Sequence, residues 1–593
     1  MGDVSSVSYS YHTKPRIIIC MECIAIIASS TTMLFPRYSK QKKVIRLDKA
    51  VTSIPKAAFS NYNKLVSVVL SDGLEDIGDE AFKCCRSLEE IIFGKGVQSI
   101  GAEAFSECKS LKRIALPSSV KVIENGTFAG CTSLLEVQLS EQGIVTIGRG
   151  AFRDCVSLVH ITIPSSVHVI ESDAFDGCTS LREVHLAEGL QTILDLRAFQ
   201  GCNSLKKINI PSTFSSIAGG AFHGCTSLVE VHLCEGLRTI DKAFQGCVSL
   251  LHVKIPATVL AIEGGAFDGC ILLKSVHLYD GLVIIGKAFQ GCTSLAMVVI
   301  PSTVTTIEGG AFHGCTALKG VQFSNDGQVK IIGKAFQDCT SLERIQIPYS
   351  VTSIEGGAFN GCTSIREVKV IDKYIERHRL SINYAFENCT SMTHVHIPSS
   401  VSELDGGAFS RCTSLEKVFL SEGIRSVKNA FQHCTSLEFV LIPSSVYDLD
   451  CGAFNECTSL KHIGLCEGTV LVGNAFQGCT SLMHVSIPPT VTDVYDGAFN
   501  GCSQLSYVML CDGLIAIEDS FHDCKKLVEV ELPSTVTIVH KSFVECSALM
   551  KLGLCTGLLS VRSEQFFGCR SLKYIDISST VTEIGERAFI GCF

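Results

Sequence analysis

The sequence predicts a repeat solenoid, one β-rich stack of short rungs. Size alone would suggest several domains for 593 residues, but three observations overrule that. An Ala-Phe pair or close variant recurs 24 times, with Phe at 59, 82, 105, 128, 152 and so on to 589, a mean period of 23. A Cys stands three residues after that Phe in 23 of the 24 copies, Tyr62 being the exception. These two columns absorb most of the 32 Phe and 31 Cys, so the unusual composition is the repeat itself. The third observation is length. A 23-residue unit cannot bury its own apolar face, so neighbours must stack into a continuous core.

Each unit divides into three elements, as in AFHGCTSLVEVHLCEGLRTI, residues 221–240. The Ala-Phe-x-x-Cys turn supplies one aromatic ring and one small apolar thiol. The strand motif follows, with Leu228, Val231 and Leu233 at positions 1, 4 and 6. Its second half alternates apolar and polar, as a strand with one buried face does. Gly236 then marks a corner, after which Leu237 and Ile240 resume the apolar pattern. The corners alternate between two classes. One carries Pro, as at Pro211, Pro256, Pro301 and Pro443; the other carries Glu-Gly or Asp-Gly, as at Glu235-Gly236, Asp280-Gly281 and Glu422-Gly423. Pro closes a strand because it has no N–H for the ladder, and Gly permits a positive-φ turn. The result is a double period near 45 residues.

Two regions depart from the pattern. Residues 1–43 form an irregular extension, expected to cap the first rung, with a signal or an anchor through residues 14–43 as the alternatives. Ile17 to Phe35 is largely apolar but interrupted by Glu22, which would cost roughly 3 kcal/mol at mid-bilayer. The solenoid is expected over residues 44–593, ending inside a repeat without a polar cap. The step from Phe359 to Phe386 is 27 residues and carries Lys373, Arg377, His378 and Arg379, an insertion expected to form a loop.

The pattern C-T-S-L-x-x-V-x-[IL]-P-x-[ST]-V-x-x-I-x-x-x-A-F-x-x-C resembles the BspA-type leucine-rich repeat, over roughly residues 44 to 593. The resemblance implies a curved or twisted leucine-rich-repeat stack with short helical turns and a continuous parallel β-sheet on one face. It implies a binding role, with cell-surface adhesins among the bacterial members, and brings no catalytic residues.

Charge and motif content narrow the function. Net charge is −9, and because residues 1–43 carry +4 the rest carries −13. Such a surface opposes general binding of nucleic acid or insertion at an anionic membrane. No nucleophile elbow, phosphate loop, dinucleotide fingerprint or paired-carboxylate site occurs. No enzyme activity, cofactor or metal is therefore expected. Column cysteines recur with Phe and Leu in every rung, and a free-thiol ladder is the expectation, since buried thiols behave as small hydrophobes. His394 and His396 lie on one face of one strand, but a zinc site needs a third ligand. Cys20-Met21-Glu22-Cys23 is a lone pair of thiols.

The remaining signal lies at strand positions 3 and 5, which should point away from the core. Early rungs place polar pairs there, such as Glu183 with His185 and Lys207 with Asn209. Later rungs carry His394 and His396, then Phe419, Phe439, Leu441, His462, His484, Tyr507 and Met509. A contiguous apolar patch rimmed by polar groups predicts a protein-binding surface, with Lys373, Arg377 and Arg379 as one rim. The expected function is a non-enzymatic protein-interaction scaffold in the cytoplasm. The alternative is a secreted or membrane-anchored adhesin or receptor ectodomain.

Overall fold

The structure is a computed structural model. It describes residues 44–592 apart from 189, 191–196, 325–328 and 372–379, together with the strands Ile17–Ile19 and Cys23–Ile26. The chain divides into two compact units, Met1–Val259 with Glu263–Leu273 and Leu260–Ile262 with Lys274–Phe593, here the N-terminal and C-terminal units.

Both units are β-solenoids built on the same rung. In the N-terminal unit the strand motifs form a parallel ladder, running Val44–Leu47, Ser67–Val69, Glu90–Ile92, Arg113–Ala115 and onward. Cys23–Ile26 pairs in parallel with Val44–Leu47 and antiparallel with Ile17–Ile19. In the C-terminal unit the ladder is renewed at Arg344–Ile347, which opens an 11-stranded sheet ending at Tyr574–Asp576. Register keeps equivalent positions side by side, as where His394, Val395, His396 and Ile397 face Lys417, Val418, Phe419 and Leu420. The apolar residues after the corner form a second, narrower set of parallel strands. Ser53–Ile54, Asp76–Ile77 and Ser99–Ile100 are one such set, each turning its Ile inward.

The core lies between these two strand sets and the Ala-Phe turns. From Phe59 to Phe566 every column Phe is buried. Adjacent rings stack nearly parallel, 5.2 Å apart for Phe82 and Phe105 and 5.1 Å for Phe336 and Phe359, the offset geometry that aromatic quadrupoles favour. The thiols form a second ladder. Each column Cys from Cys85 to Cys270 donates its S–H to the carbonyl of the Phe one rung earlier, at 3.1–3.5 Å. The same bond recurs from Cys315 to Cys592 at 3.0–3.5 Å. That carbonyl also accepts the N–H of its own rung's Cys, as in Cys225 N–H to Phe222 O at 3.2 Å. Both lone pairs of a buried acceptor are thereby used.

No helix occurs among the described residues; the expected short helical turns are tight turns instead. The cause is a pair of left-handed residues two positions either side of the Phe, such as Gly220 (φ 80°) and Gly224 (φ 70°). They stop any right-handed run after one turn. They also aim alternate N–H groups sideways. Phe222 and Gly224 donate to Ala243 and Gln245 of the next rung at 2.9 and 2.8 Å, while His223 donates to Gly220 within its own. Where the side chain is not Gly, Asp, Glu, Asn, Lys or Arg usually tolerates the position, as at Glu80 and Asp154.

The two corner classes are complementary partners. The Gly N–H of one donates to the Ser or Thr hydroxyl of the next Pro corner: Gly281 to Thr303 at 2.9 Å, Gly423 to Ser445 at 2.9 Å, Gly513 to Thr535 at 3.1 Å. The Thr303 and Thr535 hydroxyls return a bond to the carbonyls of Leu282 and Leu514, each at 2.7 Å. The glycines sit at φ 116°, 108° and 115°, as the positive-φ reading of the corner requires. The double period is thus a reciprocal hydrogen-bond lock between successive rungs.

Candidate functional site

The candidate surface is the outer face of the sheet in the C-terminal unit. In the strand Lys417–Leu420, Val418 turns inward and is buried, as is Leu415 just ahead of the strand, while Lys417 and Phe419 point out. Phe439–Ile442 repeats the arrangement, with Val440 and Ile442 buried and Phe439 and Leu441 outward. Phe419, Phe439 and Leu441 are 55%, 53% and 51% exposed. They line an open groove of roughly 930 Å³ with Glu416, Lys417, Ser436 and Glu438. Lys461 holds Glu438 at 2.9 Å. Glu416 and Glu438, one residue ahead of the outward rows, form a polar margin that the sequence analysis did not select.

The surrounding rungs extend this face. His394 and His396 are exposed; the Thr393 hydroxyl is 3.1 Å from His394 Nδ1, and the Ser421 hydroxyl is 3.5 Å from His396 Nε2. His462 stands directly opposite His484 on the adjacent strand, and the His484 ring meets Tyr507 edge-on at 6.4 Å. Tyr507 and Met509 point outward and are exposed. The register sets His462 and His484, expected at one outward position of successive rungs, side by side. One feature escaped sequence reasoning. At Gly464, a Cβ would lie 2.6 Å from Leu441 Cδ1, so the glycine is what lets Leu441 lie across the next strand. A Gly at an outward strand position was the available signal. Lys373, Arg377 and Arg379 lie outside the described residues.

The cysteines offer no second site of comparable definition. All those described are free thiols, and Cys84, Cys234, Cys451, Cys466 and Cys511 are the least buried outside the column. Burial pushes the thiols of Cys225, Cys270 and Cys315 up to about 12, opposed by backbone hydrogen bonding; an attacking thiolate needs the opposite shift. Among the described residues, no three His, Cys, Asp or Glu side chains converge to hold a metal, and no helix is long and apolar enough to cross a membrane.

Stacked parallel strands, an aromatic ladder and an exposed face define a leucine-rich-repeat solenoid. The model of the BspA type leucine rich repeat region matches residues 35–158, 145–274, 240–366, 381–473 and 469–593; the chain belongs to this family. No curated protein matches it. Among solved structures it is similar to a leucine-rich repeat protein from Bacteroides ovatus, at 24% identity over 73% of this chain and 93% of that one, with a TM-score of 0.43. A leucine rich cell surface protein from Faecalibacterium prausnitzii shares 23% identity over 54% and 96%, with a TM-score of 0.30. The leucine rich repeat protein of T. pallidum shares 24% over 40% and 87%, with a TM-score of 0.23.

Proposed function

We propose that the chain is a non-enzymatic protein-recognition scaffold, and that its partner docks on the outer sheet face of the C-terminal unit. The observation that carries this is the exposure of Phe419, Phe439 and Leu441 on adjacent strands, around one groove. Large apolar side chains gathered on a face where other rungs place Glu, Lys and Gln are what a recognition surface requires. His394, His396, His462, His484, Tyr507 and Met509 extend that surface, and Lys373, Arg377 and Arg379 are proposed as its rim. Membership in a family of repeat scaffolds supports the general role; the fold by itself does not choose the partner. Proximity labelling and pull-down with wild type and with Phe419→Ala/Phe439→Ala test the reading. Proteins retained by the wild type should be lost from the variant, with affinity at least about tenfold weaker (~1.4 kcal/mol) and an unchanged melting temperature. A partner indifferent to both phenylalanines would place recognition elsewhere.

The cellular compartment has two readings. Buried free thiols in nearly every rung favour a reducing, cytoplasmic setting. Family membership favours the alternative, a surface-exposed adhesin or receptor ectodomain. Tagged chains with and without residues 1–43 separate them: export that depends on those residues supports the second, and an identical cytoplasmic distribution the first.

A further inference from the structure

We infer that the solenoid is jointed: its rungs are zipped into blocks of two, and the stack opens at the joints between blocks, most readily between Gly320–Phe323 and Arg344–Ile347. From Arg113 onward the main sheet alternates between two kinds of step. From a rung with a Pro corner to the following rung with a Gly corner, the strands match over three or four residues. Met297–Ile300 faces Gly320–Phe323 over its whole length, as Phe439–Ile442 faces His462–Leu465. From a Gly rung to the next Pro rung, only the first residue of each strand is matched: Glu136 with His160, Ser275 with Met297, Lys417 with Phe439. The cause is the missing N–H of proline. In a Gly rung the residue after the strand closes the match by donating to the rung before, Ser324 to Ile300 at 3.0 Å and Ser421 to Ile397 at 3.1 Å. Proline at that place has nothing to donate, and the strands part. Where Ser578 stands instead of Pro, the step from Lys551–Gly553 to Tyr574–Asp576 is matched over three residues. The step from Glu367–Val370 to His394–Ile397 lies between, with two.

At a joint the rungs are held by their other edges. The corner bonds cross Gly-to-Pro steps, as from Gly236 to Thr258 at 3.0 Å and from Gly468 to Thr490 at 3.2 Å, and so secure the place where the sheet is loose. The joint between Gly320–Phe323 and Arg344–Ile347 is the extreme case, because no ladder pairs those two strands. The turns across it are intact. Phe312 and Phe336 stack at 5.1 Å, Phe312 N–H donates to the Ala335 carbonyl at 2.7 Å, and Cys339 donates to the Phe312 carbonyl at 3.3 Å. The narrow strand set thickens at the same step. Val329–Ile331 matches Val351–Ile354 over three residues, whereas the strand before them, Thr306–Ile307, is two residues long. This joint is therefore loose on the sheet side and closed along the turns and the narrow strands, which is the geometry of a hinge. The groove described above lies over a second joint. Phe419 belongs to one block, Phe439 and Leu441 to the next, so the spacing of its walls follows the joint.

The test is native-state hydrogen exchange of the full chain, read at single residues by mass spectrometry with electron-transfer fragmentation. It uses one column of equivalent bonds, the turn N–H of each Phe to the Ala carbonyl of the next rung. Phe312 and Phe409 make that bond across joints, to Ala335 and Ala430, both at 2.7 Å; Phe336 and Phe386 make it within blocks, to Ala358 and Ala408, at 2.7 and 2.8 Å. All four side chains are fully buried, so only the neighbouring sheet differs. Opening at a joint breaks fewer bonds than opening inside a block. The amides of Phe312 and Phe409 should therefore exchange at least about tenfold faster than those of Phe336 and Phe386, with Phe312 the fastest. Equal rates at the four, or faster exchange at Phe336 and Phe386, would overturn the inference. Pro443→Ser restores the missing donor at the joint under the groove. It should slow exchange at Phe409 relative to Phe312, and a ratio unchanged or moved the other way would overturn the role of proline and the joint with it. Both readings are made on the free chain, so they decide the joints whatever binds the groove.

Discussion

At the scale of single residues, the column cysteine does more than fill space. Its S–H satisfies a carbonyl that the strand ladder cannot reach, and its small volume lets neighbouring rungs close at strand spacing. Desolvation keeps the proton on. Thiol titration of the reduced native protein should therefore label Cys225, Cys270 and Cys315 slowly, and fully only in denaturant. Recovering most of them as disulfides from native material would refute both the ladder and the cytoplasmic reading. The corner threonine is a second such residue. Thr303 accepts from Gly281 and donates to Leu282, so Thr303→Val removes both bonds at nearly constant volume. It should cost about 1–2 kcal/mol, read as faster amide exchange at Gly281.

At the scale of the rung, the Phe stack dominates. Phe312 is fully buried, 5.3 Å from the Phe289 ring and 5.1 Å from the Phe336 ring. Phe312→Ala leaves a cavity that rings held by their own turns cannot fill, and should cost ~3–5 kcal/mol. The loss should remain local, because each rung contacts mainly its two neighbours. Limited proteolysis should then open the chain near residue 312, with distant rungs still resistant. A single cooperative loss of all structure at one lower denaturant concentration would contradict a one-dimensional stack.

At the scale of the whole molecule, the buried thiols together predict an alkaline limit to stability. In the unfolded chain a thiol ionises near pH ~8.5, whereas Cys225, Cys270 and Cys315 in the fold hold their protons up to about 12. The folded state thus binds more protons at high pH. Its stability is complete below the unfolded value and declines as pH rises toward the folded one. Melting followed by circular dichroism under reducing conditions should show a nearly constant transition from pH 7 to 8 and a progressive fall above about 9. A transition unchanged at pH 10.5 would mean that the thiols ionise alike in both states.

Much of this protein is legible in its sequence because a repeat states its rules many times over. Phe at period 23 with Cys three residues on leaves no fold but a stack, and Leu415 with Val418 inside leaves Lys417 and Phe419 outside by the geometry of a strand. The positive φ at Gly236 and Gly281 follows from the corner alone. What the sequence could not decide was anything that depends on how one rung meets the next. The Ala-Phe segment reads as a helical turn until the left-handed residues flanking it are placed. The Pro and Gly corners read as two solutions to one corner, and that they bond to each other is seen only when Gly281 donates to Thr303. Gly464 is merely small until Leu441 lies across it. Periodicity fixes what each residue does within its own rung, because local geometry and burial repeat with it. Hydrogen-bond partners and grooves lie between rungs, and they exist only once the stacking has set which side chains share an edge.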